Sequence, residues 1–73
     1  MSELVNETLL QMKYARVVSL LAERLGIDKI RALDLFYTSK TYSYLDRQMY
    51  HLHNMSDAYL VDELVKELQD NQQ

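Results

Sequence analysis

The sequence predicts an all-α fold, a compact domain in which one long helix is followed by three shorter ones. Gly26 is the single glycine among 73 residues and proline is absent, so few positions interrupt a helix. Apolar residues recur at three- and four-residue spacing along four segments, and no segment alternates with the two-residue period of a strand. A chain of this length is expected to form one domain, residues 1–73.

Helix one is expected to run from an N-cap at Ser2 to a C-terminal glycine at Gly26. Its main apolar face is wide, which predicts a central position in the fold. This face comprises Leu10, Tyr14, Ala15, Val17, Val18, Leu21, Ala22 and Leu25. Leu9 and Met12 lie on the opposite side of the helix, where a second helix or a second subunit would cover them.

Helix two is expected to begin after an N-cap at Asp28 and to end near residues 38–39, whose side chains compete with the helix for backbone hydrogen bonds. Its predicted buried face consists of Ile30, Leu33, Phe36 and Tyr37. Residues 38–39 are also well suited to begin helix three, which follows from Lys40 to Met49 or Tyr50.

Residues 51–54 are expected to form a turn, after which Ser56 caps helix four. The core face of this helix is predicted to contain Val61, Leu64, Val65 and Leu68, and Leu60 is expected to pack against Met55 beside the cap. The tail is expected to fray from about residue 69. Short connections require successive helices to fold back on one another, and both an up-down bundle and an orthogonal array satisfy that requirement.

The composition of the chain argues against several classes of protein. Without cysteine the chain has no disulfide and no thiolate metal site. No apolar run approaches the roughly 20 residues of a membrane span and no signal peptide is evident, which favours a cytoplasmic protein without a membrane. A net charge of −3 disfavours nucleic acid as a partner. Apolar residues form 48% of the chain, a large share for so small a core, which predicts a homo-oligomer or a protein partner.

The sequence offers no convincing catalytic or cofactor site. There is no cysteine nucleophile, no serine in a glycine turn, and a single glycine cannot build a phosphate-binding loop. The carboxylates of Asp62, Glu63 and Glu67 are expected on the solvent side of helix four. His51 and His53 lie close enough to suggest Zn²⁺, but no third ligand is evident, so a surface turn is favoured. We therefore expect neither an enzyme nor a bound cofactor or metal.

Five of the six tyrosines lie between residues 37 and 59. Tyrosine combines a large contact area with a polar tip, which suits protein interfaces. Three of these side chains, Tyr37, Tyr42 and Tyr59, are assigned to the core. The candidate interface consists of Tyr44, Arg47, Tyr50, His51 and His53, with Leu9 and Met12 on helix one.

A helix-turn-helix regulator is the alternative interpretation. Residues 30–48 contain a helix, the short Thr38-Ser39 turn and a second helix. Side chains of this segment suited to phosphates or bases are Lys40, Thr41, Ser43, Tyr44 and Arg47. The overall acidity and the lack of a glycine in the turn weigh against DNA binding.

Five short segments of the sequence carry a family resemblance: LAERLGI (21–27), LDLF (33–36), SKTY (39–42), YHLH (50–53) and YLVDEL (59–64). With these segments the chain, from about residue 10 to 68, resembles a family of short helical bacterial proteins of unknown function. Some members of that family are encoded beside predicted ADP-ribosyltransferase-like toxins. The resemblance implies a bacterial cytosolic accessory protein, an antitoxin-like or regulatory partner, and it assigns no catalytic or binding residue.

Overall fold

The computed structural model describes residues 7–70, apart from the side chains of Tyr50 and His51. It contains α1 (Glu7–Leu25), α2 (Lys29–Tyr37), α3 (Lys40–Asp46) and α4 (Asp57–Asp70), with a 3₁₀ helix (Met49–Asn54) between the last two. No strand occurs within the described range. The predicted all-α domain with a long first helix is therefore confirmed.

Both ends of the chain limit what can be compared with the predictions. The predicted N-cap Ser2 and residues 71–73 of the tail lie outside the described residues. The helix α4 continues through residues 69 and 70, where fraying was expected.

The junction between α1 and α2 forms as the sequence predicts. Gly26 has a φ of 68°, a left-handed conformation that other residues adopt only at a cost. The N–H of Ile27 donates to the carbonyl oxygen of Ala22 at 3.1 Å, which closes the end of α1. Two residues after the glycine, the carboxylate of Asp28 accepts the N–H of Arg31 at 2.8 Å and caps α2.

Serine side chains begin the next two α-helices, again as predicted. Ser39 Oγ accepts the N–H of Tyr42 at 2.9 Å, and Ser56 Oγ accepts the N–H of Tyr59 at 3.1 Å. Each bond satisfies a backbone donor that the first helical turn leaves without a partner.

The helix α3 is shorter than predicted. It ends at Asp46 instead of Met49 or Tyr50, because Gln48 has a left-handed backbone with a φ of 57°. That conformation interrupts the α-helical hydrogen-bond pattern, and the chain continues as the 3₁₀ helix. Residues 51–54, predicted as a turn, are the second half of this 3₁₀ helix.

The prediction for the buried face of α2 is wrong for three of its four residues. Phe36 is fully buried, but Ile30 is 81% exposed, Leu33 is 43% exposed and Tyr37 is 42% exposed. The helix instead turns Ala32 and Phe36, one turn apart, toward the core. A small alanine at this position lets α2 approach α1 closely, and the bulkier residues remain outside.

The hydrophobic core is built around α1, which packs against both α2 and α4. Its predicted apolar face is confirmed at most positions, since Tyr14, Val17, Val18, Leu21 and Ala22 are buried, whereas Ala15 at the edge of the arc is exposed. The other buried apolar residues are Ala32, Phe36, Leu45, Leu52, Leu60, Val61 and Leu64.

The tyrosine assignment is only partly right. Tyr42 packs partly buried against the core, but Tyr37 and Tyr59 are each 42% exposed. The ring centroid of Tyr37 lies 4.7 Å from that of Tyr42 and 5.3 Å from that of Phe36, so Tyr37 contacts the core although much of its surface is exposed. Tyr59 lies on the side of α4 opposite its buried leucines.

Ion pairs tie α4 to α1. Asp57 receives Lys13 Nζ at 3.0 Å and Arg16 Nε at 2.8 Å. Farther along both helices, Arg24 Nη1 lies 2.9 Å from a carboxylate oxygen of Asp62. None of the helices in residues 7–70 combines the length and the apolar character needed to cross a bilayer.

Candidate interaction surface

Three apolar side chains form a row on the outer surface of α2. Ile30, Leu33 and Tyr37 stand at positions i, i+3 and i+7, which places them within a sector of about 60° on the helix. Their exposed fractions are 81%, 43% and 42%. We call these three residues the α2 row. An exposed row of this kind on so small a domain is typical of a surface that another protein covers.

Charged residues of opposite sign flank the α2 row. Lys29 precedes Ile30 on one side of the row, and Asp34 follows Leu33 on the other. Both side chains are exposed, and neither takes part in an ion pair with another described residue. The row therefore has one basic and one acidic edge that no described side chain in residues 7–70 neutralises.

A carboxylate of α4 holds the beginning of α3. Glu67 accepts the backbone N–H of Lys40 at 2.6 Å, the N–H of Thr41 at 3.1 Å and the hydroxyl of Thr41 at 3.0 Å. Together with Ser39 this satisfies the first three backbone donors of α3. Glu67 was predicted to face solvent, and that prediction is wrong because α3 lies against it. We call this set of bonds the Glu67 clamp.

The Glu67 clamp bears on the helix-turn-helix alternative. In such a motif the N-terminal residues of the second helix contact base edges. Here Thr41 is only 6% exposed and its polar groups are bonded to a carboxylate, which would also repel phosphates. Lys40 and Arg47 are exposed, but the backbone N–H of Lys40 is bonded to Glu67 and that of Arg47 to the carbonyl oxygen of Ser43, so neither amide is free for a phosphate. This arrangement gives DNA recognition little support.

The structure describes only some of the interface residues predicted around α3. Tyr44 is partly buried and lines a groove of about 240 Å³ between α3 and α4, beside Glu67 and Lys66. Arg47 is exposed in the turn that follows α3. The side chains of Tyr50 and His51 lie outside the described residues, so their assignment stays a prediction.

His53 does not provide a metal centre with the described residues. Its Nδ1 atom is buried and has no hydrogen-bond partner, while the residue as a whole is partly exposed. No group of three or more histidine or carboxylate side chains that could hold a metal ion occurs among the described residues.

Leu9 and Met12 form a second, smaller apolar patch on α1. They are 61% and 53% exposed, and they lie on the helix shortly before Arg16, which pairs with Asp57. Their exposure agrees with the expectation that this side of α1 does not belong to the main core. Among the described residues, large exposed apolar side chains therefore occur in this pair on α1, in the three-residue α2 row and at Tyr59 on α4.

Among the described residues, three titratable groups have clearly displaced pKa values, and none of the three belongs to the α2 row. Burial raises the pKa of Tyr14 to about 12, with neighbouring Tyr42 and Asp46 adding to the effect. Burial likewise raises the pKa of Tyr42. For Asp57, burial alone would raise the pKa, but hydrogen bonds from Arg16 and Lys13 lower it overall. All three groups serve packing or ion pairing, so they indicate no catalytic acid or base.

No protein family matches the sequence, and none of the curated proteins or solved structures matches it either. Functional proposals for this chain therefore rest on the geometry and chemistry of its own residues and on the resemblance of its sequence segments described above.

Proposed function

We propose that the protein is a small interaction module that acts by binding a protein chain through the α2 row. The observation that carries this proposal is the exposure of Ile30, Leu33 and Tyr37 on one face of a helix whose other face is well packed. Fully covering an exposed large apolar side chain contributes about 1.5–3 kcal/mol, so the exposure of Ile30 forgoes most of such a stabilisation and the partial exposure of Leu33 and Tyr37 forgoes a smaller share.

The row also has the chemistry of a binding hot spot. Tyr37 supplies a ring already held by its contacts with Phe36 and Tyr42, so little side-chain entropy remains to be lost on binding. Ile30 and Leu33 supply the apolar anchors beside it. Amphipathic helix surfaces of this spacing are a common means of helix-to-helix recognition.

The proposed role is regulatory and not enzymatic. The resemblance to short helical bacterial proteins supports a setting in the bacterial cytoplasm and an accessory, antitoxin-like function. Protein contact requires no nucleophile, metal or cofactor, and the displaced pKa values found in residues 7–70 belong to groups that are buried or ion-paired within the fold.

Site-specific photo-crosslinking in the native cell tests this proposal. A photoreactive residue at Leu33 should yield a discrete covalent adduct with a protein, because that side chain lies in the contact. The matched control places the same residue at Ala15, which is also exposed but lies on α1 outside both apolar patches. A discrete adduct at Leu9 with none at Leu33 would move the contact to α1, and equal labelling at Leu33 and Ala15 would contradict a specific surface.

A further inference from the structure

We infer that the chain covering the α2 row is a second copy of this protein, with the two α2 helices side by side and parallel. This inference rests on the proposed function and names the partner of the same surface. It follows from the spacing of the row together with the two charges beside it.

The α2 row has the spacing of a short coiled-coil seam. If Ile30 is placed at heptad position a, Leu33 falls at d and Tyr37 at the next a. Two parallel helices related by a two-fold axis then stack each of these residues on its own equivalent in the second copy. A β-branched residue at a with leucine at d is the combination that favours two strands.

The flanking charges fit the same arrangement. With this register Lys29 occupies position g and Asp34 the e position of the next heptad. In parallel pairs a g residue meets the e residue five positions later on the other helix, and 29 plus five is 34. Two-fold symmetry therefore forms two equivalent pairs, each joining Lys29 of one copy to Asp34 of the other. In an antiparallel pair g positions face g positions, so Lys29 would face the second copy's Lys29 and would not meet Asp34.

Both charges are available for this contact. Lys29 and Asp34 are exposed and make no ion pair with another described residue, although other acids and bases of the chain are paired. The helix α2 has nine residues and offers only three seam layers, so the buried area is below that of standard stable interfaces. We therefore expect reversible dimerisation in the micromolar range or weaker.

A charge-reversal experiment tests the pairing directly. The variants Lys29→Glu and Asp34→Lys each replace two attractive contacts with two repulsive ones, so each alone should dimerise at least about tenfold more weakly than wild type. A mixture of the two variants restores opposite charges at both contacts and should form a heterodimer. The double variant, which exchanges the two charges, should regain the wild-type dimer.

These variants keep the helix intact. A glutamate in the first turn of α2 and a lysine nearer its end both favour the helix dipole, so a loss of dimer cannot be attributed to unfolding. Circular dichroism verifies the fold of each variant. Arg31→Glu is the matched control, because Arg31 is exposed on α2 but lies outside the seam, and it should leave dimerisation unchanged.

Sedimentation equilibrium of the intact chain, from about 10 μM to 1 mM at low salt, measures these constants. A wild type that stays monomeric throughout would overturn the inference, while an adduct to another protein at Leu33 would still support the proposed function. Dimerisation that Lys29→Glu and Asp34→Lys leave unchanged, or a mixture no tighter than either variant alone, would also overturn it. A monomeric wild type without a Leu33 adduct in the cell would contradict both proposals.

Discussion

The Glu67 clamp makes α3 depend on a side chain that lies 26 positions later in the sequence. A seven-residue helix is too short to be stable by itself, so its position relies on tertiary contacts. Replacing Glu67 with alanine removes three hydrogen bonds at once. We expect this substitution to be among the most destabilising changes of a polar residue in the chain.

The magnitude follows from the burial of the three donors. Thr41 is 6% exposed, so its N–H and hydroxyl would be left without an adequate partner, at about 1–3 kcal/mol for such a group. Lys40 is exposed and water replaces most of the bond to its N–H. Together these contributions give an expected loss of about 2–4 kcal/mol for Glu67→Ala. The Glu67→Gln variant retains one acceptor oxygen in its side-chain amide, so it should cost about half as much.

Urea unfolding followed by circular dichroism measures these losses, and Glu63→Ala is the matched control on the same helix. Glu63 makes a 3.5 Å contact with Lys66 at the surface, which contributes under about 0.5 kcal/mol. Amide hydrogen exchange adds a local readout, because the amides of Lys40 and Thr41 should lose protection first. Equal losses for Glu67→Ala and Glu63→Ala, with unchanged exchange at α3, would refute the clamp.

Three further predictions follow from the core and its titratable groups. Leu21→Ala should lower the free energy of unfolding by about 2–5 kcal/mol because Leu21 is fully buried, whereas Met12→Ala should lower it by less than about 1 kcal/mol. Comparable losses for the two variants in urea unfolding would contradict the two faces assigned to α1. Tyr14→Phe should reduce the loss of stability at alkaline pH. The pKa of Tyr14 in the folded protein, about 12, lies above its ordinary value of 10.0, so the wild type loses up to about 2–3 kcal/mol of unfolding free energy as pH rises between those values. The exposed Tyr59→Phe is the control and should change this pH dependence little. Asp57→Asn should lower the free energy of unfolding by about 1 kcal/mol at neutral pH. Because the pKa of Asp57 in the folded protein lies below 3.8, the difference between variant and wild type must shrink as pH falls below that value. A difference that does not change with pH would exclude the ion pairs as its cause.

Helix boundaries could be read from the sequence because capping is a local effect. Gly26 and Asp28 act on backbone groups within a few residues of themselves, and Ser39 and Ser56 do the same at α3 and α4. No distant contact is needed for these side chains to fix where a helix begins or ends. The exception was the end of α3, where Gln48 adopts a left-handed conformation that its residue type does not signal.

The orientation of α2 could not be read in the same way, because this helix carries apolar residues on more than one side. Ile30, Leu33 and Tyr37 form one possible face, and Ala32 with Phe36 forms another. Only the fit against α1 decides between them, and close approach favours the side with the small alanine. The same dependence on a distant contact explains why Glu67 was misassigned: its partners come from α3, and no local pattern indicates them.

The ion pairs among the described residues are distributed unevenly over the helices. Between α1 and α4 the charges are matched, since Asp57 and Asp62 each receive a base from α1. The segment from α2 to the turn after α3 is different: its basic residues make no ion pair with any described carboxylate, and these are Lys29, Arg31, Lys40 and Arg47. The most exposed apolar side chain of the described residues, Ile30, lies in that same segment. Charges that are paired within a fold stabilise it and leave no charge for a partner. Unpaired charges beside an apolar surface speed association with a partner of complementary charge and fix its orientation. The ion pairs therefore hold α4 against α1, while the outer surface of α2, with its unpaired charges, is where we expect the function of the protein.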